Sequence, residues 1–575
     1  MDKPFAITLD VGSSLANHTG SWRDERPQYV HRLPPCNHAC PAGENIQQWL
    51  YHAESGDYES AWRELVLDNP LPAVMGRVCY HPCETACNRA QLDETVGVHG
   101  VERFLGDEAI RRGWALPGPP QGVAPSGKRV LVIGAGPSGL SAAYQLARRG
   151  HEVTIREAGP RPGGMMRFGI PRYRLPRDVL DAEIQRILDL GVTLLCQAPV
   201  ANVMEAMREG GYDAVFLAVG AHIGRRAYIP AGDAAHILDA VGLLRSVEEA
   251  QEGSDGEGGE DRPGGVEDGA GGAEDGAGGA EGGPLLGRRV VVYGGGNTAM
   301  DAARTARRLG AHDAIVVYRR TRERMPAHDF EVQEALDEGV MMKWLSTIKQ
   351  AEPGKLVLEK MELDDTGFPQ PTGETEELAA DSLVLALGQD VDLSLLDGVP
   401  GIEIEDGVVQ VDERMMTGHP GIFAGGDMVP AERTVTVGVG HGKAAARNID
   451  AYLSGAEFVH PPVPDLVGYE DLNTWYYADA PATVAPQLDL IRRQSTFDEV
   501  VLGLDADNAL FEARRCLSCG NCFGCDNCYG VCPDNAVLKV DSGDGYAFDL
   551  DYCKGCGLCA VECPCGAIEM IPETI

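Results

Sequence analysis

KRVLVIGAGPSGLSAAYQLARRGHEVTIRE, residues 128–157, decides the fold of this chain. An apolar run (Val130–Ile133) breaks at Gly134-x-Gly136-x-x-Gly139, a helical periodicity carries on to Gly150, and a second apolar run closes on Glu157. Strand, glycine turn, helix and strand in that order make a βαβ unit, the element of a parallel α/β sheet. Glycines at this spacing permit a tight turn, close approach of the backbone to a pyrophosphate, and close helix–strand packing. The helix N-terminus offers unpaired N–H groups to the phosphates. Glu157, 18 residues beyond Gly139, stands where a carboxylate accepts from ribose hydroxyls.

The pattern restarts at RRVVVYGGGNTAMDAARTARRLG (288–310), with Gly294-x-Gly296-x-x-Ala299. Its next strand, AIVVYRRTRER, ends in Arg319 and Arg320 rather than an acid. Guanidinium groups there pair with a 2′-phosphate, which favours NADPH; Glu323 nearby leaves NADH open. Further on, GIFAGGD (421–427) leads into TVTVGVGHGKAAARNID, an apolar strand followed by a glycine-rich helix start. This resembles the second FAD motif of flavoproteins with two dinucleotide domains. By that resemblance Asp427 binds the flavin's ribityl chain and the following helix points its N-terminus at the flavin; Gly426 and Gly164 are further cofactor-binding candidates. The expected FAD domain is discontinuous, about 128–235 plus 391–460, with the NAD(P)H domain at 286–390 between its halves.

Flavoproteins of this plan often reduce a disulfide through a cysteine pair beside the flavin. Residues 161–176 contain no cysteine, and Cys196 stands alone on an apolar stretch that reads as core. The electrons need another exit. Of the 17 cysteines, five lie at 36–87 and eleven at 516–565, a distribution that suits metal ligands better than a disulfide framework. Cys522-x2-Cys525-x2-Cys528-x3-Cys532-Pro is followed by Cys553-x2-Cys556-x2-Cys559-x3-Cys563-Pro. That is the two-cluster ferredoxin spacing, in which each fourth cysteine serves the other [4Fe–4S] cluster. One cluster takes Cys522, Cys525, Cys528 and Cys563; the other takes Cys553, Cys556, Cys559 and Cys532. At the other end are Cys36-x3-Cys40-Pro and Cys79-x3-Cys83-x3-Cys87, where Pro82 breaks any helical stripe of cysteines and ligation is favoured.

Together CNHACPAG, GRVCYHPCETAC, VIGAGPSGL, FGIPRYRLP, YGGGNTAMD and GIFAGGD resemble the small (β) subunit of bacterial NADPH-dependent glutamate synthase. They are also similar to the amino-terminal half of dihydropyrimidine dehydrogenase and to NADPH-linked ferredoxin oxidoreductases. The resemblance spans about residues 30–460 and implies a helical Fe–S domain, an FAD domain and an NADPH domain. Residues 516–565 look like a ferredoxin-type subunit of 2-oxoacid:ferredoxin oxidoreductases. In the family, one amino-terminal cluster is held by cysteines matching Cys40, Cys79 and Cys83 and by a Gln or Glu that matches Glu102. A second begins with a CxxC whose positions here are Gln28 and His31, so Cys36 and Cys87 are left as half a cluster. EARRCLSCG (512–520) resembles the missing pair, and Cys516 and Cys519 are expected to fold back and complete that site. This gives four clusters; without the joined site there are three, and Cys516 and Cys519 are structural.

The expected architecture is α/β: a tail (1–29), a helical Fe–S domain (30–115), two Rossmann-like domains, a linker (461–515) and an α+β ferredoxin domain (516–575). Residues 250–284, with EDGAGGA repeated at 267–273 and 274–280, bury too little to order themselves and read as a disordered acidic insertion. The net charge of −38 argues against a nucleic-acid footprint and reads first as a solubilising surface, with a redox partner bearing a basic docking face as the alternative. No apolar run reaches the ~20 residues of a membrane span, and residues 1–30 lack the pattern of a secretion signal, so a cytoplasmic location is expected. The expected function is electron transfer between NAD(P)H and a ferredoxin, or a ferredoxin-linked partner in a hetero-oligomer, through FAD and the clusters. The alternative is the NADPH-oxidising small subunit of glutamate synthase, feeding a separate large subunit. A scaffold with vestigial sites is at odds with the intact glycines and Glu157.

Overall fold

In the computed structural model the described residues are 18–225, 230, 236–257, 284–540 and 545–573. The strand Arg129–Ile133 is buried along nearly its whole length, as a strand covered on both faces must be. It lies at the centre of a five-stranded parallel sheet. Glu152–Arg156 and then Thr193–Leu195 lie on one side of it, and Ala214–Leu217 and then Ile422–Ala424 on the other. The last strand returns from far along the chain, pairing Phe423 with Phe216. One nucleotide domain is thereby assembled from two separated segments.

The second parallel sheet runs Met341–Lys343, Asp313–Val317, Arg289–Tyr293, Ser382–Leu385 and His236–Asp239. The strand His236–Asp239 and the helix Ala240–Glu257 precede the acidic segment, yet they join this second unit. Residues 250–257, expected within a disordered insertion, therefore belong to a helix whose first turns pack under the second sheet; residues 258–284 lie outside the described residues except for Pro284. An antiparallel three-stranded excursion, Ser346–Glu352, Lys355–Leu363 and Pro369–Ala379, covers one face of this sheet, packing Ile348, Leu356 and Leu358 against Val291, Ile315 and Leu383.

The amino-terminal domain is helical, with Trp49, Leu50, Ala53, Trp62 and Leu65 buried at helical spacing on Ile46–Glu54 and Tyr58–Leu65. Two further helices, Pro72–Val78 and Val98–Arg112, cross where Gly76 and Gly106 allow backbone contact. A Cβ on Gly106 would lie 2.3 Å from the Ala73 nitrogen.

Two stretches behave differently from their sequence reading. Residues 25–29, placed in a tail, form a strand antiparallel to Ile568–Pro572, with Tyr29 opposite Ile568 and Glu25 opposite Pro572. The chain's beginning thus completes the ferredoxin-like module at its end, and Arg23 clamps Glu573 at 2.7 Å. The stretch expected as a linker is a strap fixed to three domains. Glu499 pairs with Arg77 (2.7 Å) and Arg103 (2.9 Å) of the helical domain. The Val500 N–H donates to the Tyr173 carbonyl at 2.9 Å in the FAD domain. Arg493 joins Arg304 and Arg308 on Glu338, a fully buried carboxylate of the NADPH domain. The helix Ala506–Ala513 then lies on the helical domain and delivers Cys516 and Cys519.

Candidate functional site: two dinucleotide cradles and four cysteine groups

At the first glycine turn, Gly134 has φ +106° and a Cβ there would lie 2.3 Å from the Ala218 carbonyl, so only glycine fits. Gly139 would strike the Gly134 carbonyl at 2.0 Å, the close helix–strand contact its position calls for. Gly136 differs, since its Cβ would meet nothing within 4 Å. That open space faces the N-terminus of the helix Pro137–Arg148 and fits a pyrophosphate. Glu157 braces the turn by accepting from the N–H groups of Ala135 (2.8 Å) and Gly159 (2.7 Å). Gly164 (φ +54°) packs on the same turn, where its Cβ would lie 2.9 Å from Gly136 Cα.

The helix Val435–Ser454 brings the second motif to this turn. Thr434 caps it by accepting from the Val437 N–H (3.2 Å), and Ser141 Oγ donates to the Val439 carbonyl (2.8 Å). Gly426 (φ +73°) lies beside Ser138, and its N–H donates to His441 Nδ1 at 3.1 Å. Burial raises the Asp427 carboxyl above its ordinary value, opposed by Arg433.

The second cradle repeats the first. Gly294 (φ +151°) would strike the Ala386 carbonyl at 2.1 Å, whereas a Cβ at Gly296 meets nothing within 4 Å. The helix Asn297–Arg308 begins there, with Ala299 buried. Arg319 is exposed at the end of the following strand. Arg320 Nε is buried with no hydrogen-bond partner among the described residues. A buried, unsatisfied guanidinium nitrogen next to the second turn fits an anionic ligand. Asn297 also ties this turn to the helical domain. Its Nδ2 donates to Tyr80 Oη at 2.7 Å, and Tyr80 stacks on His328 with ring centroids 3.7 Å apart.

The cysteines gather in four places. Cys40, Cys79, Cys83 and Glu102 line one cavity, which Glu44, His81 and Thr436 also face. Cys36, Cys87, Cys516 and Cys519 line a second, so thiols more than 400 residues apart in sequence share one space. Cys532, Cys553, Cys556 and Cys559 line a third. Cys522, Cys525 and Cys528 lie within electrostatic reach of Cys563 and complete a fourth group. Burial raises the thiol pKa in each group, to about 12 at Cys79, Cys519 and Cys559. Cys563 is the exception, lowered to about 6 by its hydrogen bond with Cys565. Cavities that make buried thiols hard to ionise suit a metal cluster, whose positive iron offsets the thiolate charge.

Polar hydrogens already point at these sulfurs. Thr436 Oγ1 lies 3.1 Å from Cys79 Sγ, and backbone N–H groups reach Cys79 (3.3 Å), Cys516 (3.4 Å), Cys532 (3.2 Å) and Cys563 (3.4 Å). Asn69 Nδ2 donates to both Glu102 (2.9 Å) and Glu44 (3.0 Å), and burial beside Glu44 raises Glu102 well above the usual carboxylate range. His81 Nε2 is buried without a partner among the described residues, and burial with the stacked His99 lowers its pKa to about 3.

Sequence reasoning missed these supporting groups, and also Tyr29 and Tyr477. Tyr29 Oη sits 3.2 Å from Cys528 Sγ, with Cys522 and Cys559 close by, between the two ferredoxin-type groups. Tyr477 stands near Cys516, Cys519 and Cys563, between the joined cavity and the next group. Cys565, left spare by the spacing, has its sulfur 3.8 Å from Cys563 Sγ. Cys196 is not core: it is half-buried at a sheet edge beside Glu157, with Leu195 exposed next to it.

Residues 128–442 match the family model described as pyridine nucleotide-disulphide oxidoreductase. Residues 29–114 match dihydropyrimidine dehydrogenase domain II with its 4Fe-4S cluster, and 521–567 match a 4Fe-4S dicluster domain. The NADP(+)-dependent formate dehydrogenase subunit beta of Moorella thermoacetica is 37% identical over 84% of this chain and 70% of its own length. The NADPH-Fe(3+) oxidoreductase subunit beta of Geobacter sulfurreducens is 31% identical over 86% of this chain and 77% of its own. A putative glutamate synthase [NADPH] small chain of Cereibacter sphaeroides is 33% identical over 66% of this chain and 91% of its own. Among the described residues no helix is long and apolar enough to cross a membrane.

Proposed function

Because the chain belongs to the pyridine nucleotide-disulphide oxidoreductase family and carries 4Fe-4S domains at both ends, we propose that it is the NADPH-oxidising, electron-distributing subunit of a larger redox complex. Its acceptor is a ferredoxin or the ferredoxin-linked subunit of a partner oxidoreductase. When bound, FAD converts the electron pair of NADPH into single electrons and [4Fe–4S] clusters accept them one at a time. The protein supplies the holding, ordering and shielding of these groups.

The first turn and the Val435–Ser454 helix hold FAD, through Gly134, Gly136, Gly139, Gly164, Gly426 and Asp427. The second turn holds the nicotinamide nucleotide through Gly294, Gly296 and Ala299, with Arg319 and Arg320 at the 2′-phosphate. Cys40, Cys79, Cys83 and Glu102 hold the cluster nearest the flavin helix, since Thr436 of that helix hydrogen-bonds Cys79. Cys36, Cys87, Cys516 and Cys519 hold the next.

One observation carries this reading: neighbouring cavities share short chain segments. Cys36 and Cys40, and likewise Cys83 and Cys87, are four residues apart but line different cavities. Cys519 and Cys522 are three apart, Cys519 lining the joined cavity and Cys522 lying near Cys563 in the next group. Four residues of chain reach at most about 14 Å, so each site lies within electron-tunnelling range of the next. Buried Ile46 and Met75 line the first of the inner sites and buried Leu50 the second, which limits water there. The order is flavin cradle, Cys40 cavity, joined cavity, then the ferredoxin-type pair.

Iron and labile-sulfide analysis of the purified protein, with an EPR spin count after reduction, tests the assignment. Sixteen irons per chain are expected from four sites of four. About eight, with the spins of two clusters, would remove both amino-terminal sites; NADPH that failed to bleach the flavin would remove the activity.

A further inference from the structure

The strap passes along the ferredoxin-like module just before it turns back toward the helical domain. Asn473 fixes it there: Nδ2 donates to the Val561 carbonyl (2.8 Å), and the backbone N–H donates to the Pro564 carbonyl (3.2 Å). Tyr476 Oη donates to Glu562 and lies near Cys525. Between these anchors Trp475 is 87% exposed and Val561 beside it 66% exposed. A tryptophan held in water on an anchored turn, next to a second exposed apolar side chain, is a surface built to be covered.

The same edge is where the metal-site thiols come out. Cys522 and Cys525 are exposed, whereas no cysteine of the two amino-terminal cavities is. The surroundings are acidic. Residues 448–491 contain seven acids and no lysine or arginine, and residues 516–575 contain nine acids and two lysines. Both lysines are taken, Lys539 by Asp526 (2.8 Å) and Lys554 by Asp534 (3.3 Å). Residues 23–32, which complete the module, add Asp24 and Glu25 against Arg23, Arg26 and Arg32, with Arg23 paired to Glu573 and Arg32 to Asp471. An acidic carrier is repelled from such a rim and a basic one drawn to it.

We propose that Trp475, Tyr476 and Val561 form the docking face for an electron-transfer protein with an apolar centre ringed by lysine and arginine. Its redox centre is brought beside Cys522 and Cys525. Each docked partner molecule takes one electron, so one NADPH gives NADP⁺, a proton and two reduced partner molecules. This rests on the reading above that the carboxy-terminal cysteines hold clusters, and it favours a basic partner subunit over an acidic free ferredoxin.

The probe is oxidised cytochrome c, a haem protein with a lysine-ringed edge, used anaerobically with the full-length holoprotein. Its Kd by titration calorimetry and its rate of reduction by NADPH are measured for wild type, Trp475→Ala and Val561→Ser at low and high ionic strength. Both side chains are exposed, so iron content and NADPH bleaching of the flavin are expected to match wild type. The expected result is binding that weakens steeply with salt and about tenfold for Trp475→Ala, while reduction of ferricyanide, a small anion, is unchanged. Absent binding, binding insensitive to both substitutions, or equally tight binding of an acidic ferredoxin would overturn the docking face. Trp475-dependent binding without reduction of the carboxy-terminal clusters by NADPH would instead overturn the proposed electron route and leave the docking face standing.

Discussion

Tyr29→Phe isolates one hydrogen bond to a site of the ferredoxin-like module. Tyr29 Oη lies 3.2 Å from Cys528 Sγ, and its ring stacks on Phe548 with centroids 4.6 Å apart. Either atom can donate while Cys528 is a thiol. Once the sulfur is an iron-bound thiolate, only the phenol can, and burial among cysteines holds that phenol protonated, its pKa well above the ordinary value. Phenylalanine keeps the ring, the stacking and the strand register and deletes only the donor. A hydrogen bond to a charged acceptor contributes roughly 1.5–3 kcal/mol. The part that differs between oxidised and reduced sulfur, taken as about 1 kcal/mol, corresponds to about 40 mV for a one-electron couple. The bond strengthens as negative charge accumulates, so losing it lowers the midpoint potential of that cluster alone. An EPR-monitored redox titration resolves the couple. An unchanged or raised potential, with iron content equal to wild type, would show that Tyr29 does not donate to the cluster sulfur.

Gly136→Val is expected to fold, because its Cβ meets nothing, yet to lose FAD at least tenfold by filling the pyrophosphate space; flavin content against circular dichroism checks this. Arg320→Ala is expected to raise KM for NADPH by 10- to 100-fold, about 1.4–2.7 kcal/mol, with little change for NADH. Steady-state kinetics with both nucleotides decide it. Glu338→Ala leaves Arg308 and Arg493 buried without their carboxylate, and Arg304 with Glu334 alone, and is expected to cost about 3–5 kcal/mol, read by denaturant unfolding. Arg304 and Arg308 hold the Glu338 carboxyl at about 2 despite its burial. Its contribution is therefore complete above the ordinary carboxylate range, about 4.5, and is lost as pH falls toward 2.

Local chemistry was legible in the sequence; remote pairing was less so. The two glycine turns are self-contained over some thirty residues each, and the structure builds both as parallel sheets with open space at Gly136 and Gly296. The cysteine runs were equally plain, and counting ligands was enough to suggest which distant thiols belong together. ERPQY (25–29) gave no such signal. It does not alternate, and the strand that makes it a strand lies more than 500 residues away. The strap was misread for a related reason. It is proline-rich and aperiodic, and what holds it are Arg493, Glu499 and Arg515, whose partners lie in other domains. His236–Asp239 was missed because a four-residue strand ahead of an acidic low-complexity segment carries too little periodicity to assign. Asn69, His81 and Tyr477 act on the sites only through the fold, so no motif marks them.

In the proposed route electrons reach the carboxy-terminal clusters through a site built from both ends of the chain. Rapid-freeze EPR of the Cys516→Ser protein after mixing with NADPH tests it most directly, with dithionite reduction of the same sample reporting which clusters are present. Loss of four irons is predicted, with flavin bleaching at the wild-type rate. The ferredoxin-type clusters are predicted to stay oxidised by NADPH while remaining reducible by dithionite. Their reduction by NADPH at the wild-type rate, or an unchanged iron count, would contradict that route.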